Sequence, residues 1–101
     1  MKCEFLPPAQ AELEDAVHYY DVQQKGLGDQ FAREVARTIQ RILKHPRAWE
    51  KLSRRARRCR TNRFPYGVIY SAYPKSILIV AVAHLHRKPG YWRERLKQAR
   101  R

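Results

Sequence analysis

Residues 77–83, ILIVAVA, are apolar at every position. A strand with one face in water alternates apolar and polar residues, whereas a strand that is covered on both faces is apolar throughout. The run is also far too short to cross a lipid bilayer as a helix. It therefore predicts a central strand of a sheet, which we extend to residue 86.

Two more strands are predicted before the central one. Residues 64–73, FPYGVIYSAY, are rich in aromatic and β-branched residues, and residues 74–76 supply a tight turn into the central strand. Residues 51–63 hold seven bases and no acid, which would repel one another on a helix face. We therefore expect a loop and then a strand over residues 56–63, which completes an antiparallel meander.

The first half of the chain predicts one strand and two helices. Residues 2–6 form a short strand that ends at two prolines, and residues 9–24 repeat apolar side chains at helical spacing. The GLG sequence at residues 26–28 interrupts this pattern. Asp29 is suited to cap a second helix, which ends before Pro46. The short linker predicts that the two helices form an antiparallel hairpin.

In chain order, these elements predict a β-α-α-β-β-β arrangement, with residues 91–101 as a possible short C-terminal helix or a frayed tail. We expect a single domain over residues 1–101 with an α+β fold. The helical hairpin covers one face of a mostly antiparallel sheet, and the other face stays partly open. Along the central strand, residues 80, 82, 84 and 86 are expected to share one face.

Positive charge is concentrated in one half of the chain. The sequence carries 22 Lys and Arg against 9 Asp and Glu, which gives a net charge of +13. Residues 1–50 hold 7 bases and 8 acids, whereas residues 51–101 hold 15 bases and one acid, Glu94. Such a one-sided field predicts an anionic partner: a nucleic acid, an acidic protein or a membrane surface.

Several classes of protein do not fit the sequence. Cys3 and Cys59 are too few for a disulfide framework, and neither has a Cys or His at metal-ligand spacing. We expect both to be reduced and half-buried. The sequence has no glycine-rich phosphate loop and no zinc spacing, so we expect no metal and no cofactor. Proline at residues 7 and 8 comes before any apolar signal region forms, which predicts a cytoplasmic protein without a membrane partner.

Short motifs in a fixed order give the chain a family likeness. The most specific are RFPYGVIY at residues 63–70 and AVAHLHRKPGYW at residues 81–92. Leu-Gly-x-x-Phe from residue 27 and Pro-x-x-Trp from residue 46 precede them. Together these motifs resemble the RelE/ParE superfamily of toxins from bacterial type II toxin–antitoxin systems. The ending at residues 89–92 is more similar to the ParE-like plasmid-stabilisation branch.

This resemblance covers nearly the whole chain, and it implies a growth-inhibiting toxin that an acidic antitoxin, encoded alongside, holds silent. ParE-like members poison DNA gyrase, and RelE-like members cleave mRNA on the ribosome, so the fold alone leaves both functions open. We expect a ParE-like toxin that binds gyrase. The alternatives are a RelE-like, metal-independent mRNA endonuclease and a non-toxic, basic nucleic-acid-binding protein.

The candidate site residues depend on which of these functions the chain has. RNA cleavage needs a proton acceptor, a proton donor and cations at the phosphate, and the candidates for it are Arg63, His86, Arg87 and Tyr91. Binding of a target or an antitoxin would use a wider set, namely Arg54, Arg55, Arg57, Arg58, Arg60, Arg63, Arg87 and Tyr91. Where the RNase members carry lysines this chain carries arginines, and an arginine is a poor general base, which favours binding.

Overall fold

The computed structural model describes residues 1–99 as one mixed sheet with a helical hairpin on one face. The first half contains β1 (Lys2–Phe5), α1 (Pro7–Gln23) and α2 (Leu27–Lys44). The second half contains β2 (Glu50–Lys51), β3 (Arg57–Arg60), β4 (Tyr66–Tyr73), β5 (Ser76–His84) and α3 (Arg93–Gln98). The predicted α+β fold is confirmed, and β2 is an addition that no sequence pattern indicated.

The sheet has the strand order β1-β5-β4-β3-β2, so β5 lies between two neighbours, as its apolar run predicts. β3, β4 and β5 form the expected antiparallel meander. β1 pairs with β5 in parallel, and the long connection that a parallel pair needs is supplied by the helical hairpin and strands β2 to β4. The C-terminal helix is present as α3, and the part of that prediction that concerns residues 100–101 lies outside the described residues.

Two apolar layers sandwich the sheet. The layer between the sheet and the helical hairpin includes Phe31, Val35, Ile42, Val68, Tyr70, Ile77 and Ile79. The layer on the opposite face includes Ile69, Leu78, Val80, Ala81, Trp92 and Leu96. Because Trp92 and Leu96 bring α3 against this second face, the face is only partly open, as predicted.

β5 contains one residue more than the part of β4 that it faces. Ala81 and Ile79 each pair with β4, and Val80 between them has no partner there. An extra residue of this kind is a β-bulge, which turns the following side chains to the opposite face. Val80 therefore packs on the α3 side, whereas Val82 packs against the helical hairpin. The prediction that residues 80, 82, 84 and 86 share one face is wrong, since a strict alternation cannot anticipate the bulge.

The carboxylate that caps α2 comes from α1. Asp21 Oδ1 accepts hydrogen bonds from the backbone N–H groups of Gly26 (2.9 Å) and Gly28 (3.3 Å). Gly26 occupies the capping position with φ of +90°, a left-handed conformation that favours glycine. The prediction that Asp29 caps this helix is wrong, because α2 begins at Leu27 and Asp29 lies in its first turn.

We predict that Asp21→Ala lowers the free energy of unfolding by about 1 kcal/mol, because two N–H groups at the start of α2 lose their acceptor. Asp29→Ala is the matched control, and its effect should stay within about 0.5 kcal/mol, since it removes only an interaction with the helix dipole. Urea denaturation of both variants measures the difference. A larger loss in Asp29→Ala than in Asp21→Ala would contradict this assignment of the cap.

Candidate functional site

One end of the sheet brings together four of the predicted site residues, namely Arg63, His86, Arg87 and Tyr91. Tyr66, the first residue of β4, pairs with His84, the last residue of β5. Arg63 comes three residues before this pair and Arg87 three residues after it, so both lie at the same end of the sheet. Tyr91 follows in the segment that leads to α3. We call this region the Arg63–Arg87 end.

The turn that carries Arg63 is anchored by a buried carboxylate on α2. Glu34 is 4% exposed, and its Oε2 accepts hydrogen bonds from the backbone N–H groups of Asn62 and Arg63. Phe64 follows with φ of +73°, which is uncommon for a residue other than glycine. The Arg63 guanidinium donates to Gln30 Oε1 (3.1 Å), so α2 fixes both the backbone and the side chain of this arginine.

A second carboxylate, Glu12 of α1, holds the chain that follows β5. Its Oε1 accepts hydrogen bonds from the backbone N–H of Val82 (3.0 Å) and from Nη1 of Arg95 (2.9 Å). Its Oε2 accepts from the Tyr91 hydroxyl (2.7 Å) and from Nη2 of Arg95 (2.9 Å). Arg95 also donates to the carbonyl oxygen of Val80 (3.0 Å). This Glu12 network joins α1, the bulge of β5 and α3.

The Tyr91 hydroxyl is therefore engaged in a structural contact. Burial, and then the hydrogen bond to Glu12, raise the pKa of the Tyr91 phenol above its ordinary value, so it stays protonated at neutral pH. The same hydrogen-bonded carboxylate raises the pKa of Arg95. A phenol that already donates its proton to Glu12 is poorly placed to act as a general base, and the predicted catalytic role of Tyr91 stays a prediction.

Arg87 is exposed, and the Tyr91 ring supports its side chain. The guanidinium carbon lies 4.0 Å from the centre of that ring, which is a cation–π contact. Arg87 also borders a cleft of about 390 Å³ between α1 and the end of β5. The other residues that line this cleft are Glu12, Asp15, Ala16, Tyr19, Tyr66, Val82 and His84. The cleft therefore combines apolar side chains with charged ones.

The two histidines near Arg87 differ in exposure. His84 is half-buried and contacts Tyr66 edge-on, with 5.3 Å between the ring centres. Its Nδ1 accepts a hydrogen bond from the backbone N–H of His86 (3.1 Å). His86 lies beyond the last residue of β5 and is exposed. Of the two, His86 has the side chain that a ligand can reach more easily.

Two arginines of the predicted binding set form ion pairs with an acid that lies just outside the basic run. Arg58 donates from Nε and Nη2 to Glu50 Oε1, at 3.2 and 2.9 Å. Arg60 Nη2 lies 3.9 Å from the same oxygen. Strand β2 makes this possible, because it pairs Glu50 directly with Arg58. The sequence did not indicate these ion pairs, since a two-residue strand leaves no periodic pattern.

Three further arginines of the run, Arg54, Arg55 and Arg57, lie at the far end of the sheet. Arg54 and Arg55 belong to the turn between β2 and β3, and Arg57 begins β3. Because β3 pairs antiparallel with β4, the start of β3 faces the end of β4, away from the Arg63–Arg87 end. The predicted binding set is therefore divided between two separate regions and does not form one patch.

Neither cysteine takes part in these regions. Both are free, and burial raises the pKa of each thiol. Cys3 is half-buried, as expected, whereas Cys59 is fully buried in the layer under the helices. Within residues 1–99 we find no group of three His, Cys, Asp or Glu side chains that could hold a metal ion. In the same part of the chain, no helix has both the length and the apolar character needed to cross a membrane.

A mixed sheet under a helical hairpin, with an arginine-bearing end, is the α+β arrangement that the sequence resemblance to RelE/ParE toxins implies. A family model described as "ParE toxin of type II toxin-antitoxin system, parDE" matches residues 3–89. The chain therefore belongs to the ParE toxin family, which confirms the resemblance seen in the sequence.

Solved structures include a match with the same fold. It is a chain titled "Chromosomal ParDE TA system from P. aeruginosa", with a TM-score of 0.72 and 15% sequence identity. The match covers 83% of this chain and 95% of that chain. A comparison with curated proteins found no match.

We predict that Glu12→Gln lowers the free energy of unfolding by about 3 kcal/mol. The substitution leaves the half-buried Arg95 without its carboxylate and weakens the contacts to Tyr91 and Val82. Glu14→Gln, on an exposed part of the same helix, is the matched control and should change stability by less than about 0.5 kcal/mol. Urea denaturation at neutral pH distinguishes the two, and equal losses in both variants would argue against the Glu12 network.

We predict that stability declines above pH 10 and that Tyr91→Phe makes this decline shallower. Because folding raises the pKa of the Tyr91 phenol, the unfolded chain releases this proton first as the pH rises. The stability that the protonated phenol contributes is therefore complete below pH 10 and is lost as the pH rises further. The slope of stability against pH is proportional to the difference in bound protons between the folded and unfolded chains. Removing the phenol should reduce this difference by up to about one proton. The exposed Tyr19→Phe is the control. Denaturation midpoints measured from neutral to alkaline pH test this, and an unchanged slope in Tyr91→Phe would refute it.

Proposed function

We propose that this ParE-family toxin inhibits growth by binding DNA gyrase, and that an acidic antitoxin segment neutralises it. The family description names the parDE toxin–antitoxin system, and the similar solved structure is titled as a ParDE system, which supports an antitoxin as partner. Gyrase as the target follows from the resemblance to ParE-like toxins. The observation that carries the proposal is the Arg63–Arg87 end, where two exposed arginines are held by contacts with Gln30 and with the Tyr91 ring. Gyrase as the target would place the action of the toxin in the cytoplasm.

The chemistry of this end supports binding over cleavage. A general base must exchange a proton near neutral pH, and a guanidinium does not do so. The Tyr91 hydroxyl is hydrogen-bonded to Glu12, and the pKa of this phenol is raised. Arg63 and Arg87, by contrast, present planar cations that pair well with carboxylates or phosphates. Their supports, Gln30 for Arg63 and the Tyr91 ring for Arg87, reduce the entropy lost on binding.

The surface beside Arg87 suits an amphipathic, acidic antitoxin segment. Tyr19 and Val22 of α1 are 58% and 72% exposed, although both are large and hydrophobic. Tyr19 also borders the cleft that Arg87 lines, so apolar and cationic groups adjoin. A helix with apolar residues on one side would bury the exposed apolar side chains of the toxin, and carboxylates beside those residues would pair with the cationic groups. Such a segment would cover the Arg63–Arg87 end and block access to it.

A second candidate function, cleavage of mRNA on the ribosome, has one observation in its favour. His86 is exposed, lies next to Arg87 in the chain and carries an imidazole, the side chain that enzymes use most often for proton transfer. An RNase would use His86 for proton transfer and the arginines for the phosphate. Substitution of His86 therefore separates this function from gyrase binding.

We predict that expression without an antitoxin stops growth, and that purified toxin increases gyrase-cleaved DNA. Arg87→Ala should weaken this effect about tenfold, because a charged contact at an interface is lost. Lys75→Ala, an exposed cation in the turn between β4 and β5, is the matched control and should act like the unmodified chain. Circular dichroism checks that both variants fold.

Two results would contradict gyrase binding. Cleavage of ribosome-bound mRNA that is lost in His86→Ala would establish the RNase function instead. Normal growth on induction of the folded, unmodified chain would argue against toxicity itself and would favour a non-toxic basic protein.

A further inference from the structure

A notch lies at the far end of the sheet, where β4 extends beyond β3. The last pair between these strands joins Tyr70 to Arg57, and β4 continues as far as Tyr73. The turn between β2 and β3 bends away at this point, held by two backbone hydrogen bonds to the carbonyl oxygen of Ala56 (2.9 and 3.2 Å). The gap between this turn and the end of β4 has a volume of about 230 Å³. The gyrase and antitoxin contacts proposed above lie at the Arg63–Arg87 end and do not use this notch.

The notch is strongly cationic. Five basic side chains line it: Arg47, Lys51, Arg54, Arg55 and Arg57. No acidic side chain of residues 1–99 contributes to its walls. Glu50, although adjacent to Lys51 in the chain, forms its ion pairs with Arg58 and Arg60. Five like charges around one small gap repel one another, and an anion in the gap would relieve that repulsion.

Two of these arginines are already oriented by the protein. Arg57 donates from Nη1 to the carbonyl oxygen of Trp49 (2.9 Å). Arg55 donates to the carbonyl oxygen of Leu96 (3.4 Å) and to the Tyr73 hydroxyl (3.3 Å). A guanidinium has five N–H donors, so each arginine keeps donors for a ligand after making these contacts. An anion that binds here meets groups whose side-chain freedom is already reduced.

The walls of the notch indicate which anion fits. Ser53, Ser71 and Tyr73 line it together with the cations. Guanidinium and hydroxyl groups are common phosphate ligands, and a half-buried aromatic ring beside them offers a surface on which a nucleic-acid base can stack. An acidic peptide would use the cations but has no need of the ring. This combination favours a single-stranded nucleic acid over an acidic protein segment.

We propose that the notch binds a backbone phosphate of a single-stranded nucleic acid, with the neighbouring base against the ring of Tyr73. β4 has eight residues, so the notch and the Arg63–Arg87 end are separated by roughly 25 Å along this strand. The two sites can therefore be occupied at the same time. Binding at the notch does not depend on gyrase binding, so a test result at one site neither supports nor contradicts the proposal for the other site.

The test is the binding of a fluorescently labelled oligothymidylate of about 12 nucleotides to the full chain, followed by anisotropy between about 50 and 200 mM salt. The double variant Lys51→Gln/Arg54→Gln should raise the dissociation constant about tenfold and reduce the slope of log affinity against log salt by about 1. Arg33→Gln/Lys44→Gln removes the same charge from exposed positions on α2, and should change the dissociation constant by less than about twofold.

Variants at Tyr73 separate stacking from charge. Tyr73→Leu should raise the dissociation constant about fivefold, whereas Tyr73→Phe, which keeps the ring, should stay within about twofold of the unmodified chain. Circular dichroism and thermal unfolding show whether each variant is folded, and the comparison of Tyr73→Phe with Tyr73→Leu controls for the lost hydroxyl contact.

Three results would overturn the proposal. The first is equal weakening in both double variants, which would mean non-specific attraction to the whole basic surface. The second is that the unmodified chain binds polyglutamate, that Lys51→Gln/Arg54→Gln weakens this binding as much as it weakens oligonucleotide binding, and that Tyr73→Leu has no effect. The notch would then be a site for an acidic segment. The third is the lack of any oligonucleotide binding by the unmodified chain at low salt.

Discussion

The central strand β5 lacks a neighbouring strand along half of one edge, and the structure depends on how that edge is satisfied. β1 pairs with β5 only as far as Ile79, and an unpaired edge beyond it would expose backbone groups to water and to other chains. Glu12 accepts a hydrogen bond from the N–H of Val82, and Arg95 donates to the carbonyl oxygen of Val80. Two side chains thus take the place of a missing strand. The bulge residue Val80 makes one of these two contacts and Val82 makes the other, so the irregular part of the strand is also the part that is anchored to α1 and α3.

The same contacts determine which residues at the Arg63–Arg87 end can meet a partner. Because Glu12 binds Tyr91, the Tyr91 ring is fixed, and Arg87 rests on that fixed ring. Glu34 has the corresponding role on the other side, where it holds the turn that carries Arg63. Each exposed arginine is therefore supported by a carboxylate that contacts backbone or a neighbouring side chain and leaves the guanidinium accessible. Such an arrangement suits recognition of an anionic surface, since side chains that are already ordered lose little entropy on binding.

Local patterns in the sequence predicted the elements of this fold, but not the contacts that anchor them. The apolar run placed β5 in the centre of the sheet, and strand pairing alone brings the segments of Arg63 and Arg87 to one end. The bulge could not be predicted, because a strand that is apolar on both faces looks the same after its faces are exchanged. Glu12 could not be predicted either, since the N–H that it binds lies 70 residues further along the chain. Acids that bind distant backbone leave no periodic signal, and the sequence shows only ordinary polar positions on a helix.

The positions of the acids explain why the basic half of the chain stays electrostatically uncompensated. Glu12, Glu34 and Asp21 direct their carboxylates to backbone N–H groups, and Glu50 neutralises Arg58 and Arg60 on one part of the sheet. Four of the eight acids of residues 1–50 are thus engaged away from the exposed cations at the two ends of the sheet. Repulsion among those cations destabilises the folded chain, and any anionic partner that binds only the folded state relieves it. Stability and partner binding are therefore coupled in this toxin, because the carboxylates that stabilise its fold are the ones that leave its surface positive.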